Sequence, residues 1–182
     1  MAFGNFAHGI GAGDTARCDS GYLYLCGDAA DPFDNDCLVD TIKVAVEDIG
    51  GNDQLRIWHG YMSGNDLVFY DYDPIVTLTL SSTTGWITFT APDDFTAFEV
   101  EAGDVLVFYS HDDDCRPGRS STGDYLTYKY TSADPPYSTN LTITTSGNAY
   151  RLEFKAEGTE IGGAGTNIRP RIMYYNRKRR TT

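Results

Sequence analysis

Residues 86–130 contain four short runs of β-branched and aromatic residues: Trp86-Ile-Thr-Phe-Thr90, Phe95-Thr-Ala-Phe-Glu-Val100, Val105-Leu-Val-Phe-Tyr109 and Tyr125-Leu-Thr-Tyr-Lys-Tyr130. Turn-forming residues separate them, with Pro-Asp-Asp at 92–94, Ala-Gly-Asp at 102–104 and Pro-Gly at 117–118. Runs of this kind between such turns are typical of antiparallel sandwiches and barrels. The third run is apolar on both faces, which predicts a central strand that is fully buried.

Similar runs recur along the chain, and no segment carries a helical apolar stripe longer than two turns. The thirteen tyrosines and nine phenylalanines suit the half-buried faces of sheets. We therefore predict an all-β fold, an antiparallel β-sandwich that is jelly-roll-like. The remaining strand candidates are 21–26, 38–46, 55–59, 67–70, 75–80, 141–144, 150–154 and 168–175.

The 182 residues suit one domain with extensions at both ends. Residues 1–17 are rich in small residues and predict an extended N-terminal arm. Residues 18–175 form the predicted sandwich, and residues 176–182 form a basic C-terminal tail. The first residues lack the charged and apolar regions of a secretion signal, and no run reaches the length of a membrane span. We expect that the protein is made in a cytoplasm and stays there, or leaves as part of an assembly that lysis releases.

The net charge of −12 is distributed unevenly. Residues 169–182 contain six of the 14 basic groups and no acid. The first 168 residues therefore hold eight basic groups against 26 acidic ones, a charge of −18. An acidic body and a basic tail can pair between copies of the chain, although a solvated tail is the alternative. The charge of the body also opposes approach to nucleic acid. The candidate partner-binding residues are Arg169, Arg171, Arg177, Lys178, Arg179 and Arg180.

Acidic side chains cluster in two loops. Hard cations such as calcium require several oxygen ligands at once, which such loops supply. The spacing is not that of an EF-hand, and turn capping by solvated carboxylates is the alternative. Calcium is the only cofactor that the sequence suggests. The candidate ligands are Asp28, Asp31, Asp34, Asp36 and Asp40, and, with weaker support, Asp112, Asp113 and Asp114.

The four cysteines match no zinc-binding spacing. Two disulfides are possible, with three connectivities left open, and buried thiols are the alternative. The cysteines are Cys18, Cys26, Cys37 and Cys115.

No catalytic constellation is evident, and we predict that the protein is not an enzyme. Glu99 and Glu101 alternate with apolar residues and are expected on a solvent face. His59 follows Trp58 in a strand and is expected to be structural, and the serine-nucleophile motif Gly-x-Ser-x-Gly is absent. Aromatic side chains could stack on sugars, although most should be core or cross-strand pairs. They are Tyr61, Tyr70, Tyr72, Trp86, Tyr125, Tyr128 and Tyr130.

The chain resembles single-domain β-sandwich proteins that tailed phages encode. The similarity covers residues 38–157 and rests on short motifs: Ala102-Gly-Asp-Val-Leu-Val-Phe-Tyr109, the loop Arg116-Pro-Gly-Arg-Ser-Ser-Thr-Gly123, the strand Asp124-Tyr-Leu-Thr-Tyr128, and upstream Ile42-Lys-Val-Ala-Val46. It implies a structural protein located in a virion, as a capsid decoration or tail subunit that contacts copies of itself and other virion proteins. It brings no catalytic residues. The fold is also similar to carbohydrate-binding modules, so an adhesive protein that binds surface glycans is the alternative.

Overall fold

A computed structural model of the protein describes residues 2–3, 16–17, 23–25, 33–46, 53–64, 66–80, 85–110, 118–120, 126–130, 141–142, 145–149, 151–152 and 154–161. These residues form β-strands joined by turns. The strands are β1 (Ala2–Phe3), β2 (Ala16–Arg17), β3 (Leu23–Leu25), β4 (Cys37–Val46), β5 (Asp53–Ser63), β6 (Asp66–Phe69), β7 (Val76–Leu80), β8 (Gly85–Thr90), β9 (Phe98–Val100), β10 (Asp104–Ser110), β11 (Gly118–Ser120), β12 (Leu126–Tyr130), β13 (Leu141–Thr142), β14 (Thr145–Ala149), β15 (Arg151–Leu152) and β16 (Phe154–Glu160).

The strands form two main sheets and one small sheet. The β4 sheet has the order β1-β16-β4-β8, with β9 also paired to β4. The β5 sheet has the order β13-β6-β5-β10-β3-β12-β14, with β7 also paired to β5, and the small sheet has the order β15-β11-β2. The pairings are antiparallel. The predicted all-β, antiparallel class is confirmed, and the two main sheets are consistent with a β-sandwich.

A hydrophobic core lies between the main sheets. Phe108 of β10 stacks on Phe154 of β16 with ring centroids 5.5 Å apart, which joins one sheet to the other. Ile42 of β4 and Ile57 of β5 are completely buried. Burial of each such side chain stabilises the fold by about 1.5–3 kcal/mol.

Strand β10 lies inside the β5 sheet, between β5 and β3. Residues 105–109 are at most 2% exposed, although successive side chains point to opposite faces of the sheet. Both faces of this strand are therefore covered, which confirms the prediction of a central, fully buried strand.

Each main sheet contains an interrupted strand. Strands β6 and β7 pair with the same edge of β5, and residues 71–74 leave that edge between them. Strands β8 and β9 pair in the same way with one edge of β4, and residues 92–97 leave it. The predicted strand at 95–100 therefore begins only at Phe98.

Strand β16 extends past the predicted strand at 150–154. Phe154, Ala156 and Gly158 are buried, whereas Lys155 and Glu157 are half-buried on the opposite face. This alternation is that of a strand with one face on the core. The charges and the glycine in its sequence obscured the pattern.

The predicted terminal extensions are described only in part. Ala2 and Phe3 pair with β16 of the same chain, and Ala16 and Arg17 pair with β11. Residues 162–182, which include the candidate strand 168–175 and the six basic candidate residues, lie outside the described part. Cys37 is a buried free thiol. The other three cysteines lie outside the residues that the structure describes.

Within the described residues, no helix is long and apolar enough to span a membrane.

Candidate functional site

A cluster of three rings and one carboxyl lies on one face of the β5 sheet. We call it the Tyr70 cluster, and it consists of His59, Tyr61, Tyr70 and Asp104. His59 and Tyr61 are two positions apart on β5 and therefore share a face. Asp104 of β10 lies opposite Tyr61 in the register. Tyr70 follows β6, and its backbone N–H donates to the His59 carbonyl at 3.3 Å.

The rings are in contact. The Tyr70 centroid lies 4.7 Å from that of His59 and 5.6 Å from that of Tyr61, with tilts of 40° and 45°. These separations suit favourable aromatic pairs. Phe98 of β9 lies 6.2 Å from His59, so the β4 sheet also reaches the cluster. Tyr70 as a residue remains 38% exposed.

Asp104 is 1% exposed, and its carboxyl oxygens are hydrogen-bonded. The Tyr70 hydroxyl donates to Oδ1 at 2.6 Å, and the Glu101 N–H donates to Oδ2 at 2.8 Å. A buried carboxyl requires such partners, because burial without them is costly. Gly103 has φ of 94°, which favours glycine. The Ala-Gly-Asp motif therefore builds the turn into β10 and orients Tyr70.

Burial lowers the pKa of His59 from 6.5 to about 4, although the nearby carboxylate of Asp71 acts in the opposite direction. The imidazole is therefore neutral at physiological pH. A neutral ring packed on Tyr70 agrees with the predicted structural role. It also keeps the cluster free of positive charge.

The structure describes the first acidic loop only from residue 33 onward, so Asp28 and Asp31 lie outside the described residues. Asp34 is exposed. The Asp36 carboxylate accepts the Ala102 N–H at 2.8 Å, and Asp40 accepts the hydroxyls of Thr41 and Thr159 at 2.9 and 3.1 Å. Asp36 and Asp40 are four positions apart on extended chain, about 13 Å between their Cα atoms.

In the part of the chain that the structure describes, no three His, Cys, Asp or Glu side chains are grouped to hold a metal ion. The second acidic group, Asp112–Asp114, lies outside that part. Calcium binding therefore stays a prediction.

Other candidate residues are dispersed. Glu99 is exposed, as predicted, and Glu101 is half-buried. Tyr72 is 40% exposed, and its carbonyl accepts the Trp58 indole N–H at 2.9 Å. Trp86 lies on the other main sheet, away from the Tyr70 cluster.

A second feature is the outer edge of β8, which the sequence reasoning missed. The Ala91 N–H donates to the Asp40 carbonyl at 2.9 Å and continues the β4–β8 ladder. Backbone groups alternate in direction along an antiparallel strand, so those of Trp86, Thr88 and Thr90 point away from β4.

Among the described residues, only Asp94 blocks this edge, and it does so at one end. Asp94 satisfies both outward groups of Thr90, because its Oδ2 accepts the Thr90 N–H at 2.7 Å and its own N–H donates to the Thr90 carbonyl at 2.9 Å. Within the described residues, the outward N–H and C=O of Trp86 and Thr88 have no protein partner. We call this pair of residues the β8 edge.

The β8 edge lies in an uncharged stretch, because no charged side chain occurs from Ile75 to Pro92. That stretch includes β7, whose Thr77 and Thr79 are exposed. The chain as a whole is 22% charged. The stretch could have been noticed in the sequence, but its position at a sheet edge could not.

No protein-family model, no curated protein and no solved structure matches this chain. The geometry described above is therefore the basis for the function proposed below.

Proposed function

We propose that this protein is a non-enzymatic structural protein of a phage-like virion, a β-sandwich subunit of a capsid decoration or a tail. The observation that supports this most is the uncharged β8 edge on a strongly acidic chain. The resemblance of the short motifs in residues 38–157 to β-sandwich proteins of tailed phages, which stays a prediction, favours the same assignment.

The physical argument concerns how proteins protect sheet edges. Exposed edge strands usually carry charges, prolines or bulges that prevent pairing with another chain. The β8 edge has none of these over Trp86–Thr88, and only Asp94 closes its far end. Copies that each carry −12 repel one another, and an uncharged strand is where repulsion opposes contact least.

The termini are proposed to add contacts between subunits. Ala2–Phe3 and Ala16–Arg17 pair within their own chain, so residues 1–17 would extend a neighbour's sheet only by exchanging these pairings between copies. Residues 168–175 would close or cross a subunit boundary. Residues 177–180 would meet Asp or Glu side chains of a partner chain. Deletion of residues 176–182 should weaken assembly without unfolding the body, and high salt should have the same effect.

Electron microscopy and mass measurement of the purified full chain test this proposal. Regular particles, rings or tubes are expected at low salt, with fewer after the deletion. The proposal would be contradicted by a chain that stays monomeric at all salt and protein concentrations and that, when it is expressed together with phage proteins, is not found in the particles of the lysate.

A carbohydrate-binding or adhesive module is the second candidate, and the Tyr70 cluster favours it. Aromatic rings exposed at the surface can stack on the apolar faces of sugars, and Tyr70 and Tyr72 are both exposed. A glycan array should then show binding that Tyr70→Ala removes and Trp86→Ala, on the other sheet, leaves unchanged. Two results would exclude the Tyr70 cluster as a glycan site. In one, the two variants bind glycans equally well, and in the other, neither the parent protein nor the variants bind any glycan.

Calcium is proposed as a ligand of the loop at residues 28–40. An ion that binds only the folded state raises the melting temperature, and chelator should lower it by several degrees. Asp34→Ala is the informative variant because Asp34 is exposed, whereas Asp36 also holds the Ala102 N–H. If the melting temperature of the parent protein does not depend on calcium, the carboxylates of this loop cap turns and do not bind the ion.

A further inference from the structure

We infer that β8 pairs with β8 of a second copy, antiparallel across a two-fold axis, so that the β4 sheet continues from one copy into the next. The inference rests on the proposed structural function, and it names the surface and the partner through which subunits meet. It follows from the backbone directions of β8, the position of Asp94 and the side chains of the strand.

The free backbone groups determine the register. In an antiparallel pair, residues whose groups point outward on one strand exchange hydrogen bonds with outward residues on the other. Thr90 is excluded because Asp94 already satisfies its N–H and C=O. Among the described residues of β8, the remaining outward ones are Trp86 and Thr88, and pairing each Trp86 with the partner copy's Thr88 uses both of them.

This register puts the two-fold axis at Ile87. The two Ile87 residues then form a non-hydrogen-bonded pair, which is the arrangement that brings opposite Cα atoms closest, to about 4.5 Å. Trp86, which is 37% exposed, lies beside the exposed Thr88 of the other copy. β-branched and aromatic cross-strand neighbours of this kind stabilise sheets.

Charge is compatible with the pairing. Strand β8 contains no charged residue, and the nearest acids in the sequence, Asp93 and Asp94, follow its C-terminal end. In a two-fold antiparallel pair these ends lie at opposite sides of the contact, so the acids of the two copies do not face each other. The acidic side chains elsewhere repel copies that meet through other faces.

The contact is small. It contains the backbone hydrogen bonds of two residues from each copy and few side chains, well below the area of a typical stable dimer. We therefore expect weak association of free subunits, which strengthens where other contacts hold subunits close together.

Disulfide trapping in the full chain tests the register. Ile87→Cys places two thiols at the axis, within the distance that a disulfide spans. Mild oxidation at high protein concentration should convert most of this variant to a covalent dimer. Thr90→Cys is the matched control, because its two copies would be about 20 Å apart, and it should give no more dimer than the parent chain.

A charge variant tests the surface independently. Thr88→Lys adds a cation to an exposed position of the edge and should weaken self-association in sedimentation velocity at least tenfold. Thr96→Lys adds the same charge to the exposed loop at 91–97 and should have no effect. Lys43 lies opposite Thr88, and opposed like charges are destabilising, so circular dichroism and melting curves should confirm that both variants are folded at the temperature of the measurement.

The outcomes separate this inference from the proposed function. Particles without an Ile87→Cys cross-link would overturn the β8 pairing and leave the structural role standing. A cross-link in a chain that forms no particle would support the pairing and count against the structural role. A Thr88→Lys effect without an Ile87→Cys cross-link would mean that another segment, such as residues 1–17 of a neighbour, occupies the edge, and the inference would be wrong.

Discussion

The half-buried imidazole of His59 should make the stability of this protein depend on pH in a window that few other groups share. Its pKa is about 4 in the folded protein and 6.5 in an unfolded chain. Between these values the unfolded state binds more protons, so the free energy of unfolding falls as the pH decreases. The loss begins near pH 6.5 and is complete below about pH 4.

The size of the effect follows from the shift. A difference of one pKa unit corresponds to about 1.4 kcal/mol, so the full loss is about 3 kcal/mol. At pH 5, where most carboxyl groups are still ionised, the loss attributable to His59 is about 2 kcal/mol. The carboxylate of Asp71 opposes the shift, and Asp104 and the hydroxyls of Tyr61 and Tyr70 lie in the same cluster.

The variant His59→Phe isolates this contribution. It keeps a ring against Tyr70 and Phe98 but removes the titrating group, whereas His8 and His111 are present in both proteins. Urea unfolding at pH 7.5 and pH 5 should show that the parent protein loses about 2 kcal/mol more than the variant over this interval. Equal losses would refute the assignment of a neutral buried His59, as would an NMR titration in which this ring protonates near pH 6.5.

Three further predictions concern single residues. Tyr70→Phe removes the hydroxyl that donates to the buried carboxyl and should cost about 1–3 kcal/mol in urea unfolding, whereas Tyr72→Phe should be close to neutral. Gly60→Ala should prevent folding or lower the melting temperature severely, because the added Cβ would overlap the Val68 carbonyl of the neighbouring strand β6. Gly64 has open space around it but a φ of 63°, so Gly64→Ala should lower the free energy of unfolding by only about 1 kcal/mol. Burial raises the pKa of Cys37 to about 11, with help from nearby carboxylates, so peptide mapping after iodoacetamide at pH 8 should find this thiol unlabelled until the protein is denatured. Near-complete labelling in the native protein would contradict that burial.

Strand prediction succeeded where the local pattern and the tertiary environment agree. Residues 105–109 are apolar on both faces, and the strand lies inside its sheet. Strand β7 alternates in the sequence and also in its burial. Prediction failed for β16, because Lys155, Glu157 and Gly158 resemble a loop by composition. That strand is stabilised by its pairing with β4 and by the ion pair between Lys43 and Glu157, whose atoms are 3.1 Å apart.

The candidate site was predicted less well than the fold. In the sequence, Asp104 stands out only as the last residue of the Ala-Gly-Asp turn, and His59 only as a strand residue expected to be structural. Nothing local indicates that Tyr70, 34 positions away, donates to Asp104. The calcium hypothesis rests on proximity in sequence, whereas the hydrogen bonds of Asp36 and Asp40, which are made to different segments, are visible only in the structure.

The sequence by itself determined the all-β class, the central strand and the glycine turn before β10, because two-residue alternation and positive φ are properties of neighbouring residues. Only the tertiary structure decided which strands are interrupted, which carboxyl is buried and which edge is left open. Those features depend on contacts between segments far apart in the chain. Burial of His59, the Tyr70–Asp104 hydrogen bond and the free backbone groups of β8 arise only when the sheets have formed, because each depends on what lies beside it in space.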